Sequence, residues 1–181
     1  MELSDDVVRD AAEGDAQALR DVYQALSPRV LGYLRSRGVE DPEGSTSEVF
    51  LALVPRLPGV RGGAAGLRTL AFSIAHARVV DEARRRSRRP LVLAYEPEDD
   101  ERTTESAEHR AVAAVEAERA MRLMQHLGED QRAVVSLRVV GDLTLEETAQ
   151  VLGKTVPSVK QLQRRGLERL RELMAAPEVS R

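Results

Sequence analysis

Apolar residues recur three and four positions apart through most of this chain, the spacing that lines one face of a helix. Residues that start and stop helices divide the pattern into segments. A short first helix runs from about Ser4 to a stop at Gly14, and Asp15 then caps a longer one whose stripe is Ala18, Leu19, Val22, Tyr23 and Leu26. Ser27-Pro28 either kinks or restarts that helix, after which Val30, Leu31, Tyr33 and Leu34 lead to Gly38. Asp41-Pro42-Glu43 opens a third helix through Val49, Phe50 and Leu53, stopped by Pro55 and Pro58. The segment PGVRGGAAG, from Pro58 to Gly66, holds four glycines and is expected to form a mobile loop. A long fourth helix follows, striped by Leu67, Leu70, Ala71, Ile74 and Ala75.

The pattern changes near the C-terminus, where LTLEETAQVLGKTVPSVKQLQRRGLERLREL spells two helices joined by a tight turn. Thr144 followed three residues later by Glu147 is a capping box, in which each side chain satisfies a backbone N–H of the other. Gly153 stops the first helix, because glycine takes the left-handed conformation that a helix end requires. Thr155 is positioned to cap the second, with Pro157 in its first turn. On a helical wheel Val159, Leu162, Gly166, Leu167, Leu170 and Met174 share one arc. Pro157, Ser158, Lys160, Gln161, Arg164 and Arg165 lie outside it, and Gln163 fits neither side cleanly. A helix-turn-helix built this way can dock its apolar side and offer amides, hydroxyls and guanidinium groups to a DNA major groove. A helical hairpin with a merely solvated basic face has the same pattern.

Composition narrows the class. The 181 residues suffice for one domain or two small ones; aromatics are 3%, Trp is absent, and helical packing is favoured over a sheet. With no Cys there is neither a disulfide framework nor a thiolate zinc site, which fits a reducing compartment. No apolar run is long enough to enter a membrane and the acidic start MELSDDVVRD is unlike a secretory signal, so a cytoplasmic location is expected. The net charge of -3 requires a DNA binder to segregate its basic groups. Six arginines fall between Arg78 and Arg89, and seven acids against one arginine follow from Glu96 to Glu108. The acidic stretch buries too little surface to offset its ordering entropy and reads as a flexible linker. The expectation is an all-α chain of two small helical domains, 1–89 and 107–181, tethered through 90–106. His76, His109 and His126 share no metal-ligand spacing, and no catalytic motif or cofactor site is present in the sequence, so neither cofactor nor enzyme activity is expected.

The order of these parts is what carries a resemblance. GDAQALRDVYQALSPRVLGYLRSRGVEDPEG, SEVFLALVPRLP, LRTLAFSIAHARVVDEARRRSRR, an acidic linker and then LGEDQRAVVSLRVVGDLTLEETAQVLGKTVPSVKQLQRRGLERLREL resemble, in that order, a bacterial RNA polymerase sigma factor of the extracytoplasmic-function (ECF) group. The resemblance covers about Gly14 to Leu173. It implies a first, region 2-like domain that binds core RNA polymerase and melts the minus-10 promoter element, and a second, region 4-like domain that reads the minus-35 element. The core-binding helix would use Asp41, Glu43, Glu48, Val49, Phe50 and Leu53, with Gly44, Ser45 and Ser47 departing from the family pattern. Minus-10 DNA would meet Arg61, Arg68, Phe72, His76, Arg78, Arg84 and Arg85. Leu70 stands where a Trp is common and His76-Ala77 where a basic residue and Asn are usual, so melting would lean on the PGVRGGAAG loop, which in such proteins captures a flipped base. Minus-35 DNA would meet Thr155, Pro157, Ser158, Lys160, Gln161, Arg164 and Arg165. Promoter DNA, core RNA polymerase and an anti-sigma factor are the implied partners. In the free chain, the two domains are expected to fold on each other, with the acids of the tether screening the basic faces.

Two other classes share parts of this pattern. A helix-turn-helix repressor or activator would bind its operator unaided, usually as a dimer, and no dimer seam is written in the chain. A polymerase-binding adaptor with a vestigial DNA face would keep the first domain's function alone.

Overall fold

In the computed structural model, residues 3–88 and 119–175 are described, and every regular element among them is helical. The expected linker, Arg89 and His109 lie outside the described residues. The N-terminal unit comprises α1 (Asp5–Ala12), α2 (Ala16–Ser36), α3 (Pro42–Leu53), a 3-10 segment (Val54–Gly59) and α4 (Gly63–Arg88). Each of the first three helices starts where its local chemistry directs. Ser4 accepts from the Val7 N–H at 3.3 Å, Asp15 from the Ala18 N–H at 2.7 Å, and Asp41 from the Gly44 N–H at 2.8 Å. A Cβ at Gly44 would fall 2.1 Å from the Asp41 carboxylate, so glycine at this position leaves room for the cap. α2 runs unbroken through Pro28.

The expected mobile loop is largely structured. Val54–Gly59 forms the 3-10 segment and α4 begins at Gly63, inside the glycine-rich stretch. The cause lies far away in sequence: Asp5 of α1 accepts the Ala64 N–H at 2.8 Å and so caps α4 from outside. Gly62 and Gly63 take positive φ to lead into this cap, and a side chain at Gly63 would collide with Asp5.

The C-terminal unit holds α5 (residues 119–125), α6 (Glu129–Val135), a π-helical continuation of it (Ser136–Val140), α7 (Leu145–Leu152) and α8 (Val156–Ala175). Two apolar seams knit it together. Met124, Leu127 and Val135 pack with Leu167 and Leu170, while Val134, Ala149 and Val159 pack with Leu145 and Leu162. α8 approaches α6 closely at Gly166, where a Cβ would sit 2.9 Å from the Val135 side chain.

In the N-terminal unit, one cluster joins Val8, Ala18, Val22, Leu26, Phe50, Leu53 and Leu67. A second contains Val30, Tyr33, Leu34, Val49, Phe72 and Ala75, and it also contains Leu137 and Leu143 of the C-terminal unit, both fully buried. The two units therefore share an apolar cluster and lie against each other, with α7 on α4 and the π-helical stretch on α2. Burial of this kind stabilises by about 25 cal/mol per Å² of apolar surface removed from water.

Candidate nucleic-acid interface

The C-terminal helix pair has the predicted geometry. Thr144 Oγ1 accepts the Glu147 N–H at 3.1 Å and Glu147 Oε2 accepts the Thr144 N–H at 2.7 Å, completing the capping box. Gly153 ends α7 at φ 61°. Thr155 Oγ1 accepts the Ser158 N–H at 3.4 Å at the entry to α8. Val159 and Gly166 are buried, while Thr155, Pro157, Lys160, Gln161, Arg164 and Arg165 are exposed and Ser158 is half-buried. Arg164 has a neighbouring acid, Glu168, at 3.6 Å. Gln163, which fitted neither side of the wheel, accepts from Arg138 Nε at 3.3 Å; the same guanidinium also donates to the Leu143 carbonyl. Arg138 thus braces α8 against the loop before α7. The result is a rigid helix with one face docked and a polar, cationic face turned outward.

α4 places its candidate residues very differently. Arg61, just before the helix, and Arg84 and Arg85, near its end, are exposed. Arg78 turns toward α3 and pairs with Glu48 at 2.9 Å. Phe72 is wholly buried, its ring edge-on to Tyr33 with centroids 5.7 Å apart. His76 is half-buried and lies 2.8 Å through Nδ1 from the Tyr33 hydroxyl. Burial, and to a smaller extent the Arg37 charge, hold His76 below its ordinary pKa, while burial pushes the Tyr33 phenol up. The phenol therefore keeps its proton and the imidazole stays neutral. Arg68 is covered by α7 and donates to one oxygen of Glu147 from Nε at 3.2 Å and from Nη2 at 2.8 Å. Burial alone would raise the Glu147 carboxyl, but the Thr144 N–H and the Arg68 guanidinium outweigh it and hold the group below its usual value.

α3 shows a third arrangement. Asp41 is its N-cap, Glu43 pairs with Arg35 and Glu48 with Arg78, and all three acids are exposed. Val49, Phe50 and Leu53 face inward. The apolar side chains that this helix and its surroundings turn to water are others: Leu51 is 75% exposed, Val54 46% and Tyr23 47%. The Tyr23 ring lies tilted against Phe50 with centroids 4.7 Å apart, and Val54 follows Leu51 by three residues and Phe50 by four, a spacing that sets these side chains as an apolar patch around Phe50 at the end of α3 and the start of the 3-10 segment. The sequence carried a signal for it, since Leu51 is an apolar residue off the stripe set by Val49, Phe50 and Leu53. Among the described residues no group of three or more His, Cys, Asp or Glu side chains is arranged to hold a metal ion, and no helix is long and apolar enough to cross a membrane.

The family described as sigma-70, region 4 matches residues 123–172. The chain is 36% identical over 178 residues to the ECF RNA polymerase sigma factor ShbA of Streptomyces griseus, an alignment covering 92% of this chain and 93% of that protein. It is 34% identical over 181 residues to the ECF RNA polymerase sigma factor SigD of Mycobacterium tuberculosis, covering 97% and 85%. The solved structure of CnrH in complex with the cytosolic domain of CnrY shares the fold, at TM-score 0.67 and 20% identity, over 96% of this chain and 98% of that one.

Proposed function

We infer a division of labour among three surfaces from one premise: this chain belongs to the ECF RNA polymerase sigma factors. It is a transcription initiation factor that binds core RNA polymerase and directs it to promoters. The outward face of α8 reads the minus-35 element through Lys160, Gln161, Arg164 and Arg165, with Thr155, Pro157 and Ser158 at the groove edge. The observation supporting this most strongly is the contrast on α8 itself, where Val159 and Gly166 are buried while the cations on the other side are free to reach bases and phosphates. The N-terminal unit, residues 1–89, serves minus-10 recognition through Arg61, Arg68, His76, Arg78, Arg84 and Arg85, with Phe72 buried in the cluster behind α4.

Core polymerase is held by α3 and its surroundings. Glu43 and Glu48 supply the exposed acids, and the patch of Tyr23, Leu51 and Val54 supplies the apolar anchor that interfaces place at their centre. Val49, Phe50 and Leu53 act by fixing the helix that carries that patch. An anti-sigma factor is the regulatory partner this reading carries, covering the α3 patch and α8. The chemistry of RNA synthesis remains with the polymerase.

Transcription of fragmented source genomic DNA by purified core enzyme, with and without this chain, tests the reading when the 5′ ends are sequenced. New, discrete start sites sharing upstream elements are expected. An unchanged distribution of ends would overturn it and favour a repressor or adaptor.

A further inference from the structure

Of the 27 lysines and arginines in this chain only two are lysines, Lys154 and Lys160, and they flank the entry to α8. An arginine keeps its charge and is a poor target for acylation, whereas a lysine amine is a nucleophile once it has lost its proton. Every side-chain amine that this protein offers to an acyl donor therefore lies in the helix-turn-helix. The structure sets the two apart. Lys154 follows Gly153 in the turn, is half-buried, and its Nζ pairs with Asp130 of α6 at 2.9 Å. To react, it must leave that carboxylate. Lys160 is exposed on the outward face of α8, and no acid among the described residues is paired with it. Arg164, also exposed, lies one turn further along the same face, at the spacing where helical side chains meet. Glu168 stands 3.6 Å from Arg164, a further turn away from Lys160.

We propose that Lys160 is a modification site, an amine acylated by a small acyl phosphate held on Arg164, and that the modification weakens duplex binding through α8. The proposal rests on the reading of α8 as the minus-35 surface. A guanidinium binds a phosphate through two parallel, charge-assisted N–H donors, so Arg164 suits the leaving group of such a donor. From there the acyl carbonyl comes within reach of an amine one turn back. Lys160 first gives a proton to water. Its neutral Nζ then attacks the carbonyl carbon, the new C–N bond forms, and the bond from that carbon to the bridging phosphate oxygen breaks. Inorganic phosphate leaves with the electron pair and takes the surplus proton of the nitrogen. The product is an uncharged amide in a row of cations.

Two features make this a switch on binding alone. Lys160 lies off the docked arc, whose buried members are Val159 and Gly166, so an added acyl group projects into water and the helix keeps its seat. Loss of its charge removes one counterion-releasing contact to the DNA backbone while Arg164 and Arg165 stay charged. The cations assigned to minus-10 DNA, Arg61, Arg68, Arg78, Arg84 and Arg85, are all arginines. An acyl donor therefore acts on one DNA surface and spares the other.

The test treats the full chain with acetyl phosphate, or with N-acetoxysuccinimide as an uncharged donor, and follows each lysine by peptide mass spectrometry. Acetyl phosphate should acylate Lys160 about fivefold faster than Lys154, whose ion pair must first be broken. Arg164→Gln should slow the reaction of Lys160 with acetyl phosphate about fivefold and leave its reaction with the uncharged donor unchanged, a split that exposure of the amine alone does not produce. By anisotropy, the fully acylated native chain should bind a fluorescent mixed-sequence DNA duplex about tenfold more weakly at low salt, with a shallower salt dependence. Lys160→Arg put through the same treatment should bind the duplex as its own untreated form does. Equal rates at the two lysines, equal slowing of both donors in Arg164→Gln, unchanged binding by the acylated native chain, or a loss of binding in treated Lys160→Arg would each overturn the proposal. Failure of the untreated native chain to bind the duplex would overturn the minus-35 reading itself, even where Lys160 is the amine acylated, and the switch with it.

Discussion

Among the described residues α4 and α8 are the two most basic helices, and the free chain treats them oppositely. α8 docks a narrow apolar seam and leaves Lys160, Gln161, Arg164 and Arg165 in water. α4 is packed on both sides, by α1 to α3 within its own unit and by α7 from the other, and its Arg68, Phe72 and His76 are committed to protein partners. A run of basic residues on a helix thus marks a surface that could meet DNA but says nothing of whether it is open. A DNA duplex could reach the cations of α8 without rearrangement, whereas Arg68 and Phe72 of α4 are covered for as long as the two units lie together.

The largest effect expected from breaking this comparison is at Phe72. With a fully buried ring in the shared cluster, Phe72→Ala should destabilise the chain by about 3–5 kcal/mol, seen as a large drop in the thermal midpoint. An unchanged midpoint would mean that the ring is not a core element and that α4 is less enclosed than described. Next comes Leu51→Ser, which removes an exposed anchor and should leave the midpoint where it is. Core polymerase binding should weaken by on the order of 2 kcal/mol, about thirtyfold in Kd, as read by fluorescence anisotropy of a labelled chain.

How much of this was legible in sequence follows the distance over which each feature is decided. The capping box of Thr144 and Glu147, the left-handed Gly153 and the Asp15 and Asp41 caps are each settled within a few residues, and the helices begin where those residues stand. The entry to α4 is not local: Asp5 caps Ala64 across 59 residues, which turned an expected loop into helix. The cover on α4 depends on Arg68 meeting Glu147 and Gly32 meeting Val140, pairs that no periodicity reveals. On α3 the family pattern drew the eye to Val49, Phe50 and Leu53, whose spacing equally describes a core stripe; Leu51, which breaks that stripe, is the residue left in water.

Smaller effects sharpen the contrast. Lys160→Ala and Arg164→Ala should each weaken duplex binding through α8 by about 1–3 kcal/mol, reducing the salt slope where a phosphate contact is lost and relaxing base preference where a base contact is lost. Gel-shift titrations at two salt concentrations separate the two cases, and native-like binding by both variants would misplace the recognition face. Thr144→Ala removes the α7 cap and should lower stability by about 1 kcal/mol in urea unfolding, with an unchanged slope against denaturant.

The smallest expected effect is the pH response of the joint. Glu147 has a depressed pKa, so the stability it lends is present above the ordinary carboxylate range and is lost as pH falls through the depressed value. His76 is likewise held below its ordinary value, so folding favours the neutral ring and this contribution also fades as pH drops below that of a free imidazole. Both signs agree: acidification should loosen the contact. The thermal midpoint should fall modestly from neutral to mildly acidic pH through His76, equally in the native chain and in Glu147→Gln, and should fall further below the ordinary carboxylate range only where Glu147 is present.

The most direct measurement is initiation by core RNA polymerase reconstituted with the Gly32→Cys, Val140→Cys chain, oxidised beforehand and freed of oxidant, against the same chain kept reduced. With source genomic DNA as template, the account predicts discrete new 5′ ends from the reduced chain and none above the core-enzyme background from the cross-linked one. Equal initiation by the two forms would contradict it, because a chain locked shut across Gly32 and Val140 would then be using its α4 surface without opening.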